Sequence, residues 1–509
     1  MFSRILSAAM LGLQVHPITV EADIAEGLPQ FNMVGFLSAQ VREAQERVRS
    51  AFRNTGVFLP GRRITINLSP ADIPKSGSRF DLPIALALLS AAGHIARCET
   101  DRIMAVGELS LSGDILPVSG ILPTALMARE IRCSALIVPS ANLKEASAVE
   151  NLPILGASTL QDLMETLRFG LPSVPLSRGI QGISLNHYDE DFMDIHGQYL
   201  AKRASLIAAA GFHNLLLIGS PGSGKTMIAR RLPSILPLLT PKESMEVSAI
   251  YSIAGFLTED TPYALVRPFR NPHHTISPQA LAGGGKIPTP GEVTLAHRGV
   301  LFLDEMPEFS PAALEVLRQP LEDREIVISR TSGTYRFPAN FLLLAAMNPC
   351  KCGYFPDRNL CTCSPRDVSN YIGRISRPLL DRIDLCVQCP PVSYEDLTSP
   401  SSSEITSEDL RNQAESAREI QLRRFRGENI HFNSEIPAGM ISRYCRMDDA
   451  AARTIRNAYT IHTLSARGYH KLLKTARTIA DLEGSDLIRE AHIGEALMYK
   501  TIDESYWRS

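Results

Sequence analysis

The stretch Gly219-Ser220-Pro221-Gly222-Ser223-Gly224-Lys225-Thr226 has the spacing Gly-x-x-x-x-Gly-Lys-Thr and directly follows four large aliphatics, Leu215 to Ile218. Strand, glycine loop and the helix opening at MIARRL together describe a phosphate cradle. The glycines let the backbone curl so that its N–H groups face phosphate oxygens, and the helix N-terminus adds its dipole. Lys225 would reach the β- and γ-phosphates of ATP, and the Thr226 hydroxyl would go to Mg²⁺. Further on, GVLFLDEMPEF (Gly299 to Phe309) reads as a buried strand ending in two carboxylates. Asp304 is expected to hold the metal through water, and Glu305 to polarise the attacking water. A third strand, FLLLAAMNP, ends at Asn348, which is expected beside Glu305, orienting that water. Arg382, in RPLLDRIDL, has two readings: a structural ion-pair partner, or an arginine finger aimed at the γ-phosphate of the next subunit.

Cys350, Cys352, Cys361 and Cys363 form C-x-C-x₈-C-x-C, two close pairs joined by a short loop. Four thiolates close a tetrahedral Zn²⁺ shell of the structural type, although the usual spacing within a pair is longer. Free cysteines and a redox switch are the competing readings. Nine cysteines in all, an odd number and clustered, point to a cytosolic chain rather than a disulfide scaffold.

These residues need a scaffold, and the 509-residue chain is long enough for about three domains. With 44% apolar and 21% charged residues it is ordinary globular text, neither disordered nor collagenous. A net charge of −2 confines any nucleic-acid contact to a local basic patch. No apolar run is long enough for a membrane span. The opening MFSRILSAAMLGL could pass for a signal peptide, but it runs into strand-like HPITVEADI without a cleavage site. A Pro/Gly/Ser-rich break at 171–190 and a polar break at 398–409 divide the chain. The expected domains are an α/β unit over 1–170, an α/β P-loop core over 191–397 and a helical unit over 410–509. In the first, ITINLSP and ALIVPS read as strands and DLPIALALLSAAG as a buried helix closed by glycine.

With these motifs the chain resembles AAA+ ATPases of the magnesium-chelatase-like group, and more narrowly the YifB/ComM family. GLPQFNMVG, RNPHHTIS, LAHRGVLFLDEMPEF, AAMNPCKCG and LSARGYHKLLKTARTIADLEG carry the likeness, which covers nearly the whole chain. The resemblance implies a cytoplasmic homohexameric ring with ATP bound between subunits, Asn348 as sensor 1 and Arg382 as the arginine finger. It also implies a helical C-terminal lid carrying a nucleotide-binding sensor-2 arginine, Arg467 or, as second choice, Arg477. The implied activity is that of an ATP-dependent DNA motor promoting branch migration of branched or single-stranded DNA in recombination and natural transformation. An ATP-driven protein-remodelling motor is the alternative.

GELSLSGDILPVSGIL and PKSGSRF resemble the Lon-type protease domain, whose fold is therefore expected at the N-terminus. Arg79 stands where that family's serine belongs and Leu122 where its lysine belongs, so proteolysis is not expected. Finally, LAGGGKIPTPGEVTLAH, between the two nucleotide motifs, suits the hairpin that such rings insert. Lys286 there could meet a DNA phosphate in the pore, or sit in a plain surface turn.

Overall fold

The computed structural model describes every residue except 97–101, 178, 180–187, 189, 286–287, 331–332, 393, 395–404, 462–463 and 508–509. Its first strand, Phe2–Leu11, turns at Gly12 (φ +63°) and pairs antiparallel with Gln14–Ala25, Phe2 facing Asp23 and Leu11 facing Gln14. The apolar start that could pass for a signal peptide is thus one arm of a hairpin. Seven strands follow one another across this sheet in the order Gln30–Val34, Arg63–Ser69, Gln14–Ala25, Phe2–Leu11, Ile103–Ala105, Ala135–Pro139 and Ile154–Ala157. Helix Asp81–Ala92 is buried from end to end, which is why its text is apolar without periodicity. Gly93 ends it at φ +85°, a conformation that costs glycine little.

The second sheet is entirely parallel. Its strand order is Phe269–Arg270, Val300–Leu303, Leu342–Met347, Leu215–Gly219 and Leu385–Cys389. Leu215 pairs with Leu344 on one side and Leu385 on the other, and Val300 pairs with Leu342. The three central strands are buried throughout, so they read as unbroken aliphatic runs. Parallel strands share one polarity, so the residues after Gly219, Leu303 and Met347 all emerge at the same edge. Ligands of open α/β sheets bind at that edge.

Past the polar break, helix Ser407–Arg424 starts from a capping box formed by Thr406 and Asp409. It is clamped to the core through Glu243, which lies 3.2 Å from Arg267 and 3.5 Å from Arg418. Burial pushes the Glu243 carboxyl up, but the two guanidiniums outweigh it and hold it down at about 2. Helix Ala466–Leu482 docks elsewhere, at the edge where the parallel strands begin. Lys471 reaches Asp384 at 3.2 Å, and Thr478 meets His213 at 2.8 Å.

Two hairpins project between the core strands. Gly283–Gly284 pairs antiparallel with Thr289–Pro290, so the glycine segment does form a hairpin; Lys286 lies outside the described residues. The second, Glu325–Arg330 with Gly333–Pro338, was not anticipated. Its Tyr335 and Phe337 are buried, and Gly12 approaches them so closely that a Cβ there would stand 3.1 Å from Tyr335.

Candidate nucleotide site

Helix Lys225–Ile235 opens on Gly224 at φ +86°, and Gly222 takes φ +80°. A Cβ at either position meets nothing within 4 Å, so the need for glycine there is conformational. Gly219 is different: a Cβ would lie 2.4 Å from the Cys389 carbonyl oxygen, so its smallness lets two strands close up. Gln198, which the motif reading missed, donates from Nε2 to Ser223 O at 3.0 Å and Pro390 O at 2.7 Å. It ties the loop to the last strand from a position with no motif to announce it.

Lys225 Nζ donates to Gly219 O and Ser220 O at 2.8 Å each and to Asn348 Oδ1 at 3.2 Å. Burial pushes this ammonium down, while Cys389, Asp304 and Glu305 pull it back up. Thr226 Oγ1 donates to Asp304 Oδ2 at 3.0 Å, so a hydroxyl and a carboxylate converge beside the loop. Two hard oxygen donors next to a phosphate cradle fit Mg²⁺, which usually takes a protein ligand or two together with substrate phosphates. Glu305 is more than half exposed and left-handed at φ +50°, a strained state for a non-glycine residue. Asn348 follows strand Leu342–Met347, the neighbour of the strand that leads to Asp304 and Glu305, and its Oδ1 accepts from Lys225. His274 Nδ1 lies 4.0 Å from Glu305 Oε2.

Arg382 and Arg467 lie at the other edge of the sheet. They line a 520 Å³ cleft with Asn214 and Asp384, residues that immediately precede two of the strands. The five residues of strand Leu215–Gly219 separate that edge from the phosphate loop by about 13 Å. Both guanidiniums bind one carboxylate, Glu322: Arg467 Nη2 at 2.5 Å from Oε1, and Arg382 Nη2 on Oε2. Arg467 therefore does not cover its own chain's phosphate loop, because its helix docks on the far edge. Arg477 is fully buried, bonded to Asp481 and to the carbonyls of Ser485 and Asp486. It holds the helical unit together and has no free donor face for a nucleotide.

The four clustered cysteines follow Asn348 directly, and their sulfurs all lie within 4.8 Å of one another. Cys350 Sγ is 3.3 Å from Cys352 Sγ and 3.8 Å from Cys361 Sγ, with 3.6 Å between the latter two. A tetrahedron built on metal–sulfur bonds of about 2.3 Å has edges of about 3.8 Å, so the set fits Zn²⁺. Backbone N–H groups of Gly353 and Phe355 point at Cys350 Sγ from 3.3 and 3.4 Å, as suits a thiolate. The Cys361 thiol is raised to about 11 by burial and its sulfur neighbours, a repulsion that a divalent cation would remove. Gly353 packs on the phosphate loop; a Cβ there would be 2.5 Å from Pro221 Cδ.

Ser76, Ser78, Arg79, Glu108 and Ser119 of the N-terminal unit line a 360 Å³ cleft closed on its other side by Ile253, Pro288 and Thr289, with no lysine among the described lining residues. Arg79 donates to Thr124 Oγ1 at 2.9 Å, and Leu122 is buried in helix Ile121–Glu130.

The family profile described as "Magnesium chelatase, subunit ChlI" matches residues 191–397. "Subunit ChlI of Mg-chelatase" matches 20–142, and "Magnesium chelatase, subunit ChlI C-terminal" matches 404–500. The chain is 41% identical to "Competence protein ComM" of Haemophilus influenzae, over 98% of its own length and 97% of the relative's. It is 40% identical to "Uncharacterized protein YifB" of Escherichia coli, with the same coverage of both chains. The chain belongs to the YifB/ComM family of magnesium-chelatase-like AAA+ proteins. One quarter of it is also 36% identical to a Lon protease of Chloroflexus aurantiacus, covering 16% of that protein. The YifB/ComM family thus joins a Lon-like α/β unit to a P-loop core and a helical C-terminal unit, and its AAA+ class fits ATP and Mg²⁺ as ligands. No described helix is long and apolar enough to cross a membrane.

Proposed function

We propose that this protein is an ATP hydrolase that works as a hexameric ring moving branched or single-stranded DNA. The observation that carries the ring is the separation of the two half-sites. Phosphate loop, Asp304, Glu305 and Asn348 lie at one edge of the parallel sheet, and Arg382 with Arg467 at the other. One chain cannot close both halves on a single nucleotide, so the arginines of each subunit serve the ATP held by its neighbour. Within that shared site Lys225 binds the terminal phosphates, Glu305 takes the proton of the attacking water, and Arg382 stabilises the charge that develops on the transferred phosphoryl group. Thr226 and Asp304 would hold Mg²⁺, which would supply neutralisation of the phosphate charge.

DNA as the track is supported by the full-length likeness to a competence protein. The Lon-like unit is read as non-proteolytic, since arginine and leucine occupy the positions of that family's catalytic pair. If DNA is the track, ATPase activity rises with forked DNA, and the stimulation falls steeply with salt. Each neutralised phosphate contributes a slope of about −0.7 to −0.9 in log affinity against log salt. Lys286→Ala should lower the DNA-stimulated rate more than the basal one; equal loss of both would tie the segment to the fold. Stimulation by a protein partner and by no DNA would instead identify a remodelling motor.

The cysteine cluster is read as a structural zinc site. Purified, chelator-free protein should then carry about one Zn²⁺ per chain, and the Cys350→Ser/Cys363→Ser double variant none. Metal analysis of freshly reduced protein decides the point, and absence of zinc from the wild type ends the reading.

A further inference from the structure

We propose that Glu322 is a built-in placeholder for the γ-phosphate of the neighbouring subunit's ATP, holding Arg382 and Arg467 as a pair until that phosphate displaces it. The inference rests on the shared-site reading above. Glu322 lies on the short helical turn Pro320–Asp323, which the next residue anchors. Arg324 pairs with Glu435 at 2.7 Å and donates to Asn340 Oδ1 and Ser434 O at 3.1 Å each. From this fixed turn the carboxylate offers one oxygen to each guanidinium.

The surroundings favour a more highly charged anion than a carboxylate. Cations lining the cleft are Arg324, Arg382, Arg467, Lys471 and Lys474, against the acids Glu322, Asp384 and Glu435. Asp384 is taken by Lys471 and Glu435 by Arg324, so among the described acids lining the cleft it is Glu322 that serves the two arginines. Among the described residues, Arg382 Nε is buried with no acceptor, although Nη1 donates to Pro378 O at 2.6 Å. A carboxylate has two oxygens, and both are used. A terminal phosphate has three and about twice the charge, so it could satisfy both arginines and the orphaned Nε together. Glu322 and Arg467 are each nearly half exposed, and ion pairs in such positions are weak enough for a stronger anion to replace.

The consequence is competition. Removing the carboxylate charge frees both arginines for the neighbour's nucleotide, so ring assembly in ATP requires less protein. Glu322→Gln keeps the shape and removes the charge. Particle mass and ATPase rate, measured against protein concentration at fixed ATP, should show the assembly midpoint falling by roughly fivefold, the scale of two exposed ion pairs. Glu322→Asp, too short to span both arginines, should shift it in the same direction by less. Adding Arg382→Ala to Glu322→Gln should cancel most of the shift. An unchanged midpoint in Glu322→Gln with an unchanged melting temperature overturns the proposal. So does a higher midpoint, which would make Glu322 a prop for the arginines rather than a competitor. Failure of the shared site itself shows separately, as absent recovery when Lys225→Ala and Arg382→Ala chains are mixed.

Discussion

Glu305→Gln should yield a protein that binds ATP and hydrolyses it about 10²- to 10⁴-fold more slowly, the usual contribution of a positioned general base. The glutamine keeps the shape of the exposed, left-handed residue that follows Asp304, and loses only the ability to take a proton. Thr226, Asp304 and Lys225 remain in place, so nucleotide affinity should change little. Lys225→Ala should fail earlier. Its ammonium, held among Gly219 O, Ser220 O and Asn348 Oδ1, is the side-chain cation at the phosphate loop, and its loss removes binding itself. Equilibrium binding of a fluorescent ATP analogue, run beside single-turnover hydrolysis, separates the two variants. Wild-type turnover by Glu305→Gln would transfer the role of base elsewhere, with His274 the first residue to test.

The contrast between these two sites and the arginine edge shows what was legible in the linear text. Leu215–Gly219, Val300–Leu303 and Leu342–Met347 were readable because a strand buried on both faces must be continuously apolar. Each is followed directly by polar residues, so the phosphate loop, Asp304, Glu305 and Asn348 stood out in the sequence at the ends of those runs. The buried helix Asp81–Ala92 was legible for the same reason, with Gly93 marking its end. Glu322 was not. It is an acidic residue on the exposed side of a four-residue turn, and nothing local distinguishes it from Asp323 beside it. Its role arises only where a distant helix brings in Arg467. The same limit explains the lid. Helix Ala466–Leu482 was readable as a helix, but the edge on which it docks is set by Lys471–Asp384 and His213–Thr478, contacts between segments far apart in the chain. The hairpin Glu325–Arg330 with Gly333–Pro338 shows inward Ile326, Ile328, Tyr335 and Phe337 at alternate positions. That period of two was present in the sequence, blurred by the apolar Val327 at an outward position between Ile326 and Ile328.

Arg382→Ala should leave nucleotide affinity nearly intact while hydrolysis falls by about 10³ or more, the scale of an arginine finger. The expected split follows from position. Arg382 lies a strand length from its own phosphate loop, so it adds nothing to the binding of its own nucleotide. In the proposed ring it meets the neighbour's γ-phosphate, and its contribution is largest as charge develops there while the bond to the leaving diphosphate breaks. A structural arginine would behave differently. Its pairing with Glu322 and its bond to Pro378 O would then matter to the fold, and the variant would lose melting temperature along with activity. Mixing provides the decisive measurement. An Arg382→Ala chain keeps an intact phosphate loop, and a Lys225→Ala chain keeps an intact arginine edge. Each is inactive alone, but a ring containing both has interfaces where the two good halves meet. With random mixing at equal amounts one interface in four is complete, so activity should recover to a measurable fraction of wild type. Recovery that follows the mixing ratio establishes a shared site, whereas two inactive proteins that stay inactive together would return Arg382 to a structural role.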